Sequence, residues 1–155
     1  FLIGGIEMAY QAKRRKQFAE DFELMNEDGT IAHTLHVALD ADDMVGKINR
    51  KYAELTKTLA ETTEIKRQTE SGEVEADCFE RLGTAVVNLF EAVFGPEDTA
   101  VIVQFYDNRY IEMCREVTPF ITQVVIPQCI KIKQENQQSI LQSYNRKQKR
   151  TFLRR

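Results

Sequence analysis

Groups that commonly act in enzyme active sites are scarce in this sequence. Its two histidines, His33 and His36, stand three residues apart on an expected strand, so they would point to opposite faces and could not bind one metal ion together. The acidic group Asp40, Asp42 and Asp43 lacks the glycine and the distal glutamate that a calcium-binding loop requires. Phosphate-binding, nucleophile-elbow and zinc-protease motifs are also missing. The sequence therefore predicts a protein that is not an enzyme and has no metal site or cofactor.

Cysteine is also scarce, and long apolar runs are missing. The three cysteines, Cys78, Cys114 and Cys129, lie in apolar stretches of helical character, and none belongs to a CxxC motif. We expect them to be reduced core residues. No stretch approaches the roughly 20 consecutive apolar residues of a membrane-spanning helix, so we expect no membrane partner.

What the sequence does contain is a pronounced segregation of charge. Residues 17–145 include 23 acidic and 11 basic side chains, whereas residues 13–16 are all basic and residues 146–155 include six basic side chains. This arrangement favours a large charged partner over a small molecule. We expect that partner to be a protein, including a second copy of the chain, because an acidic body complements basic ends. Nucleic acid bound by the basic ends is the less favoured alternative. The candidate contacts in either case are Arg146, Lys147, Lys149 and Arg150.

The charge pattern suggests three regions. We expect residues 1–15 to be a leader and a disordered basic arm, residues 16–144 to be one domain, and residues 145–155 to be a basic tail that is unstructured alone. Residues 3–5, Ile-Gly-Gly, can be encoded by bases that contain AGGAGG, the tract that recruits bacterial ribosomes. We therefore hypothesise that Met8 is the native start and that the preceding residues are a translated leader. The codons of the gene test this directly.

Residues 16–40 are predicted to form an antiparallel β-hairpin. Asp28-Gly29 lies between two strand-like runs, and this dipeptide is a strong hairpin signal. A lone hairpin is marginal in water, so it must pack on helices or pair with the edge of another chain. Either Asp40 or Asp42 is expected to cap the helix that follows. The residues expected on one face of the second strand are Ile31, His33, Leu35, Val37 and Leu39.

The rest of the chain predicts about four helices, which makes the fold class α+β and helix-dominated. A long amphipathic helix extends to about residue 70, and a second covers about residues 74–94. Gly95-Pro96 combines a helix stop with a helix start. The short apolar helix that follows, residues 100–106, is expected to be central to the core. The expected core residues of the second helix are Phe79, Leu82, Val86, Leu89, Phe90 and Val93.

Three further features concern the shape of the helices. Gly83, in the middle of the second helix, costs about 1 kcal/mol relative to alanine, which either a close helix–helix approach or chance would explain. Asn108-Arg109 ends the short helix. Pro119 and Pro127 each remove a backbone donor, so we expect the last helix to be kinked at these prolines. Beyond Ile132 the apolar period fades, which is typical of a segment that projects from the body or lies against a partner.

The layout as a whole resembles a known family. Residues 90–95 read Phe-Glu-Ala-Val-Phe-Gly, and residues 110–121 read Tyr-Ile-Glu-Met-Cys-Arg-Glu-Val-Thr-Pro-Phe-Ile, with Val-Ile-Pro at residues 125–127. With an acidic hairpin before them and a charged end after them, these segments are similar to the tail assembly chaperones of long-tailed phages and prophages of Gram-positive bacteria. The resemblance covers about residues 21–133 and consists of helix stops and core residues. No catalytic residue is carried over.

The resemblance implies a non-enzymatic protein of the host bacterial cytoplasm that is absent from the mature virion. Such proteins coat the tape measure protein, a long helical client, until tail tube protein subunits arrive. Coating a helix requires an exposed groove with an apolar floor, which we expect between the long first helix and the kinked last helix. For each expected groove residue, closing the chain's own core is the alternative. The expected partner-facing residues are Tyr52, Leu59, Ile65, Ile140, Leu141 and Tyr144.

Two other functions are compatible with the same sequence. A nucleic-acid-associated phage protein would act through the basic ends, and its affinity for DNA would fall steeply with salt. A structural tail-completion protein would be found in purified particles.

Overall fold

Two strands lead into a set of helices. The computed structural model describes residues 9–68 and 72–153, with side chains described over residues 9–64 and 77–145. The helix-dominated α+β class, with an N-terminal hairpin packed on helices, is confirmed. The elements are β1 (Phe18–Met25), β2 (Ile31–Leu39), α1 (Ala41–Gln68), α2 (Gly72–Phe105), α3 (Tyr110–Phe120), a π-helical segment (Ile121–Val125) and α4 (Ile126–Leu153).

The hairpin turn forms where the sequence predicts it. Gly29 has φ +88°, a conformation that glycine adopts without strain. The Asn26 carbonyl accepts the Gly29 N–H at 3.0 Å. The hydroxyl of Thr30 donates to the Asp28 carboxylate at 2.6 Å and its N–H donates at 2.9 Å, and these bonds hold the pKa of Asp28 below its ordinary value. The two strands pair antiparallel, with Phe18 opposite Leu39.

One face of the hairpin packs on the helices. The Phe22 ring contacts the rings of Phe94 and Phe120, at centroid distances of 5.5 and 4.8 Å. The predicted alternation holds for the second half of β2, whereas Ile31 and His33, nearer the turn, are exposed. The buried hairpin residues are Phe18, Leu24, Leu35, Val37 and Leu39.

Helix α1 begins at a side-chain cap. Of the two candidates Asp40 is the cap, since its carboxylate accepts the N–H of Asp42 at 3.0 Å and its carbonyl accepts the N–H of Met44 at 3.0 Å. The Gln17 side-chain oxygen accepts the Ala41 N–H at 3.2 Å, which ties the start of the hairpin to the start of the helix. Helix α1 then packs against both α2 and α4.

Helix α2 is interrupted where the sequence predicts a stop. Gly95 has φ 83° and ψ 165°, which are not helical values, and Pro96 starts the second half. The expectation that Phe79 is buried is wrong, because its side chain is 47% exposed and Cys78 occupies the buried position instead. Neighbouring helix positions differ by 100° in direction, so the core stripe passes through Cys78 and Leu82 and leaves Phe79 at its edge.

The second half of α2 lies at the margin of the core and not at its centre, so that expectation is also wrong. Between residues 100 and 106 only Ile102 is fully buried, and Ala100 is exposed. Phe105 lies against His33 of the hairpin, at a ring centroid distance of 6.2 Å. The apolar residues of this segment contact the hairpin as well as the core. This explains why they occupy several sides of the helix.

Gly83 is explained by a close approach of α3 to α2. A Cβ atom on Gly83 would lie 2.6 Å from Cε2 of Tyr110. The turn that leads into α3 contains Asp107 and Asn108, both with positive φ, and this confirms the predicted break.

Pro119 and Pro127 lie on either side of a π-helical interruption. Pro119 lies inside α3 and Pro127 inside α4. The π-helical segment, in which the Ile126 N–H donates to the Ile121 carbonyl, separates α3 from α4.

The expectation that residues 145–155 are unstructured is wrong as far as Leu153, because α4 continues to that residue. The lysines, arginines and glutamines there are good helix formers. Residues 9–17 have no helix or strand, and residues 1–8, which contain the proposed leader, lie outside the described residues.

The cysteines behave as core residues. Cys78 and Cys129 are buried and Cys114 is half-buried, and all three are free thiols. Burial raises the pKa of Cys114 to about 11 and raises that of Cys129 as well, so neither thiol is activated as a nucleophile. Among the helices that the structure describes, none combines the length and apolarity needed to cross a membrane.

Candidate functional site

The structure separates the two histidines, His33 and His36. They lie on opposite faces of the hairpin, and within the described ranges no cluster of three metal-ligating side chains exists. The Nδ1 atom of His36 contacts the carboxylate of Asp21 across the strands at 2.5 Å. Both side chains of this pair are mostly exposed, so it contributes little to stability.

The groove expected between α1 and α4 is not open at Tyr52, the first of its expected residues. Helices α1 and α4 contact each other, and Tyr52 is half-buried against the core, so the alternative of core closure holds for Tyr52. Leu59 is 37% exposed, one turn beyond the buried Leu55. The side chain of Ile65 lies outside the described side chains.

The outer part of α4 carries exposed apolar residues among polar ones. Ile140, Leu141 and Tyr144 are 63%, 58% and 58% exposed. On the same helix the half-buried positions after Ile132 are polar. They are Lys133, Asn136 and Ser139. Ile140 follows Asn136 by four residues and Lys133 by seven, so it continues their face of the helix into residues 140–145, all of which are exposed.

A further residue extends this surface. Ile130 is 37% exposed and precedes Tyr144 by 14 residues, which is two heptads, so both lie on one face of α4. Leu141 and Ile140 precede Tyr144 by three and four residues and lie on the same side. We call Ile130, Ile140, Leu141 and Tyr144 the α4 outer stripe. It spans about 21 Å at 1.5 Å per residue. The sequence analysis missed Ile130, although its heptad spacing from Tyr144 could have identified it.

The four predicted basic contacts directly follow this stripe. Arg146, Lys147, Lys149 and Arg150 occupy helical positions in α4, and we call them the basic end of α4. Cations in the last turns of a helix are favoured by the helix dipole. The structure therefore places the basic residues on one helix with Ile140, Leu141 and Tyr144, whereas Tyr52 lies on α1 and packs against the core.

A second exposed apolar patch lies between α2 and α3. Phe79 and Tyr110 are in contact, at a ring centroid distance of 5.1 Å, and Ile111 beside them is half exposed. Arg109 and Glu112 border the patch and form an ion pair at 3.6 Å. The patch is compact and its border carries both signs of charge, so it offers a weaker basis for selecting a partner than α4 does.

The groove between α1 and α2 has a different character. Arg81 bridges the two helices through an ion pair with Glu61 at 2.7 Å. The groove lining includes Glu54, Asp77 and Glu80, and it is mostly charged or polar. It therefore lacks the apolar floor that an amphipathic helix needs.

Comparison of the chain with protein-family models, with curated proteins and with solved structures gives no match.

Proposed function

We propose that this chain is a non-enzymatic phage tail assembly chaperone that binds the tape measure protein and helps to recruit tail tube subunits. The observation that carries the proposal is the exposure of three large apolar side chains, Ile140, Leu141 and Tyr144, on the outer part of α4. The sequence resemblance supplies the identity of the client. On this proposal the protein acts in the host bacterial cytoplasm and is absent from the finished virion.

The magnitude of the exposed surface suits such a role. Full burial of a large apolar side chain contributes about 1.5–3 kcal/mol, and Ile140, Leu141 and Tyr144 are each somewhat more than half exposed. Covering the three would contribute on the order of 3 kcal/mol before the entropic cost of association. Binding by one copy is therefore weak. Many copies along one long helix would bind it collectively and still leave one by one.

Co-purification with the tape measure protein tests this function. We expect the double variant Ile140→Ser/Leu141→Ser to lose the client while keeping its fold, because both side chains lie outside the core. The matched control is Ile31→Ser/Ile111→Ser, which removes two half-exposed isoleucines elsewhere. Equal recovery of the client with both variants would contradict the proposal. Detection of the chain in purified particles would favour a structural tail component instead.

The second candidate function is nucleic-acid binding. It is favoured by the continuation of α4 through residues 146–150, which places four basic residues on one helix. DNA affinity measured against salt concentration tests it. A steep salt dependence that disappears on deletion of residues 146–155 would support this function over the chaperone.

A further inference from the structure

We propose that the partner of the α4 outer stripe is an amphipathic helix whose apolar stripe is bordered by acidic residues where it lies along the basic end of α4. This inference rests on the proposed function and specifies the chemistry of the client segment.

The first basis is the geometry of the stripe. Leu141, Ile140 and Ile130 precede Tyr144 by three, four and fourteen residues, and each of these distances keeps a residue on the Tyr144 side of the helix. A second helix can pack along such a stripe with its own apolar residues. The charged positions that border a seam then determine which partner binds and in which direction.

The second basis is the charge of α4 compared with the elements around it. Residues 126–153 carry six basic side chains and one acidic side chain, Glu135. Helix α2 carries seven acidic side chains and one basic side chain, and the two strands with their turn carry five acidic and no basic side chains. Helix α1 carries six basic and five acidic side chains, so α4 is the most basic element of an acidic molecule.

The third basis is the distribution of charge along α4 itself. Lys131, Lys133 and Glu135 are the charged residues between Ile130 and Tyr144, whereas four cations and no acid occupy residues 146–150. A partner helix packed on the stripe and continued along the basic end would meet a row of cations. Acidic side chains there form favourable pairs, and basic ones are repelled. The same charges disfavour pairing with α4 of a second copy, because both helices would be basic.

Binding of designed peptides to the full-length chain tests the inference. Two synthetic helical peptides would share one Ile/Leu heptad stripe, with Glu bordering it in one and Lys in the other. We expect the Glu peptide to bind at least about tenfold more tightly at low salt, which corresponds to about 1.4 kcal/mol. High salt should reduce this ratio, because exposed charges are screened.

Charge-reversal variants then test whether the basic end of α4 causes the preference for the Glu peptide. The variant Arg146→Glu/Lys147→Glu/Lys149→Glu/Arg150→Glu should reverse the preference between the peptides. The control variant Lys13→Glu/Arg14→Glu/Arg15→Glu/Lys16→Glu reverses the same number of charges in the exposed N-terminal arm, and it should leave the preference unchanged. A second version with glutamine at the four α4 positions should abolish the preference, and circular dichroism checks that each variant is folded.

The outcomes separate the two proposals. If both peptides bind equally and binding requires Ile140 and Leu141, the client site stands and the acidic border is contradicted. If neither peptide binds, the proposed helical client site itself is contradicted. If reversal of the basic end instead dissociates oligomers of the chain, a second copy and not an acidic client helix occupies this end, and the inference is overturned.

Discussion

Contacts between helices explain individual residues of this chain that the neighbouring sequence does not explain. Gly83 carries no side chain because the Tyr110 ring of α3 occupies the space that a Cβ atom would need. Phe79, which the sequence pattern assigns to the core, covers that same ring from outside. The one-residue difference between Phe79 and the buried Cys78 depends on how α2 is rotated against its neighbours. Packing sets that rotation, and the local sequence does not.

Replacement of two helical glycines tests the contact at Gly83. Gly46→Ala should raise the free energy of unfolding by about 1 kcal/mol, since a Cβ atom there meets nothing within 4 Å. Gly83→Ala should lower it by about 1–3 kcal/mol, because the ring of Tyr110 must move. Denaturant unfolding measures both values. A stabilisation of Gly83→Ala equal to that of Gly46→Ala would show that the ring does not restrict this position.

The hydrogen bonds in the turn at Asp28 should make the free energy of unfolding depend on pH. Hydrogen bonds from Thr30 lower the pKa of Asp28 in the folded state, so their contribution to stability is present above the ordinary aspartate pKa and is lost as the pH falls through the lowered value. Asp28→Asn should therefore unfold at lower denaturant concentration than the parent at neutral pH, and the difference should shrink at acid pH. Glu27→Gln, which removes one charge from the same turn, is the control. A difference that is independent of pH would contradict this origin.

At the scale of elements, an aromatic cluster is one of the contacts that join the hairpin to the helices. Phe22 reaches between Phe94, which ends the first half of α2, and Phe120, which ends α3. These three rings join the first strand to both helix ends. The hairpin therefore depends on the helices for its stability, as a two-stranded sheet of this size must.

Truncation of Phe22 tests this dependence. Phe22→Ala should lower the free energy of unfolding by about 2–3 kcal/mol, somewhat less than for a fully buried phenylalanine, because its ring is only partly buried. Met25→Ala, at a half-exposed position on the same strand, should change it by less than about 0.5 kcal/mol. Equal small effects would mean that the hairpin is held by other contacts.

The elements themselves could largely be predicted from local signals. Asp28-Gly29, the acidic cap at residue 40 and Gly95-Pro96 each specify a turn or a helix end through conformational preferences of one or two residues. What the sequence did not predict depends on tertiary packing or on competing tendencies. Residues 100–106 are apolar on several sides because they cover the hairpin junction, and residues 145–153 form a helix although they carry strong like charge. For the candidate site, the exposure of Ile140, Leu141 and Tyr144 agrees with the loss of apolar periodicity beyond Ile132, whereas Tyr52 lies within a regular amphipathic pattern.

At the scale of the whole molecule, charge and apolar surface combine on one helix. The hairpin and α2 make the body acidic, whereas α4 is basic and carries the exposed stripe. The charge segregation in the sequence therefore corresponds to a division between structural elements. We expect association of the chain with any acidic helical partner to weaken with salt, because salt screens the attraction between opposite charges.

Photo-crosslinking during tail assembly tests the proposed function most directly. A photoreactive phenylalanine analogue at position 141 should crosslink to the tape measure protein in infected cells before tubes form, and the crosslinked chain should be absent from finished particles. The same analogue at position 31, on the exposed part of β2, should give little of this product. Crosslinks from position 141 only to DNA or to other copies of the chain, with none to the tape measure protein, would contradict the role proposed for α4.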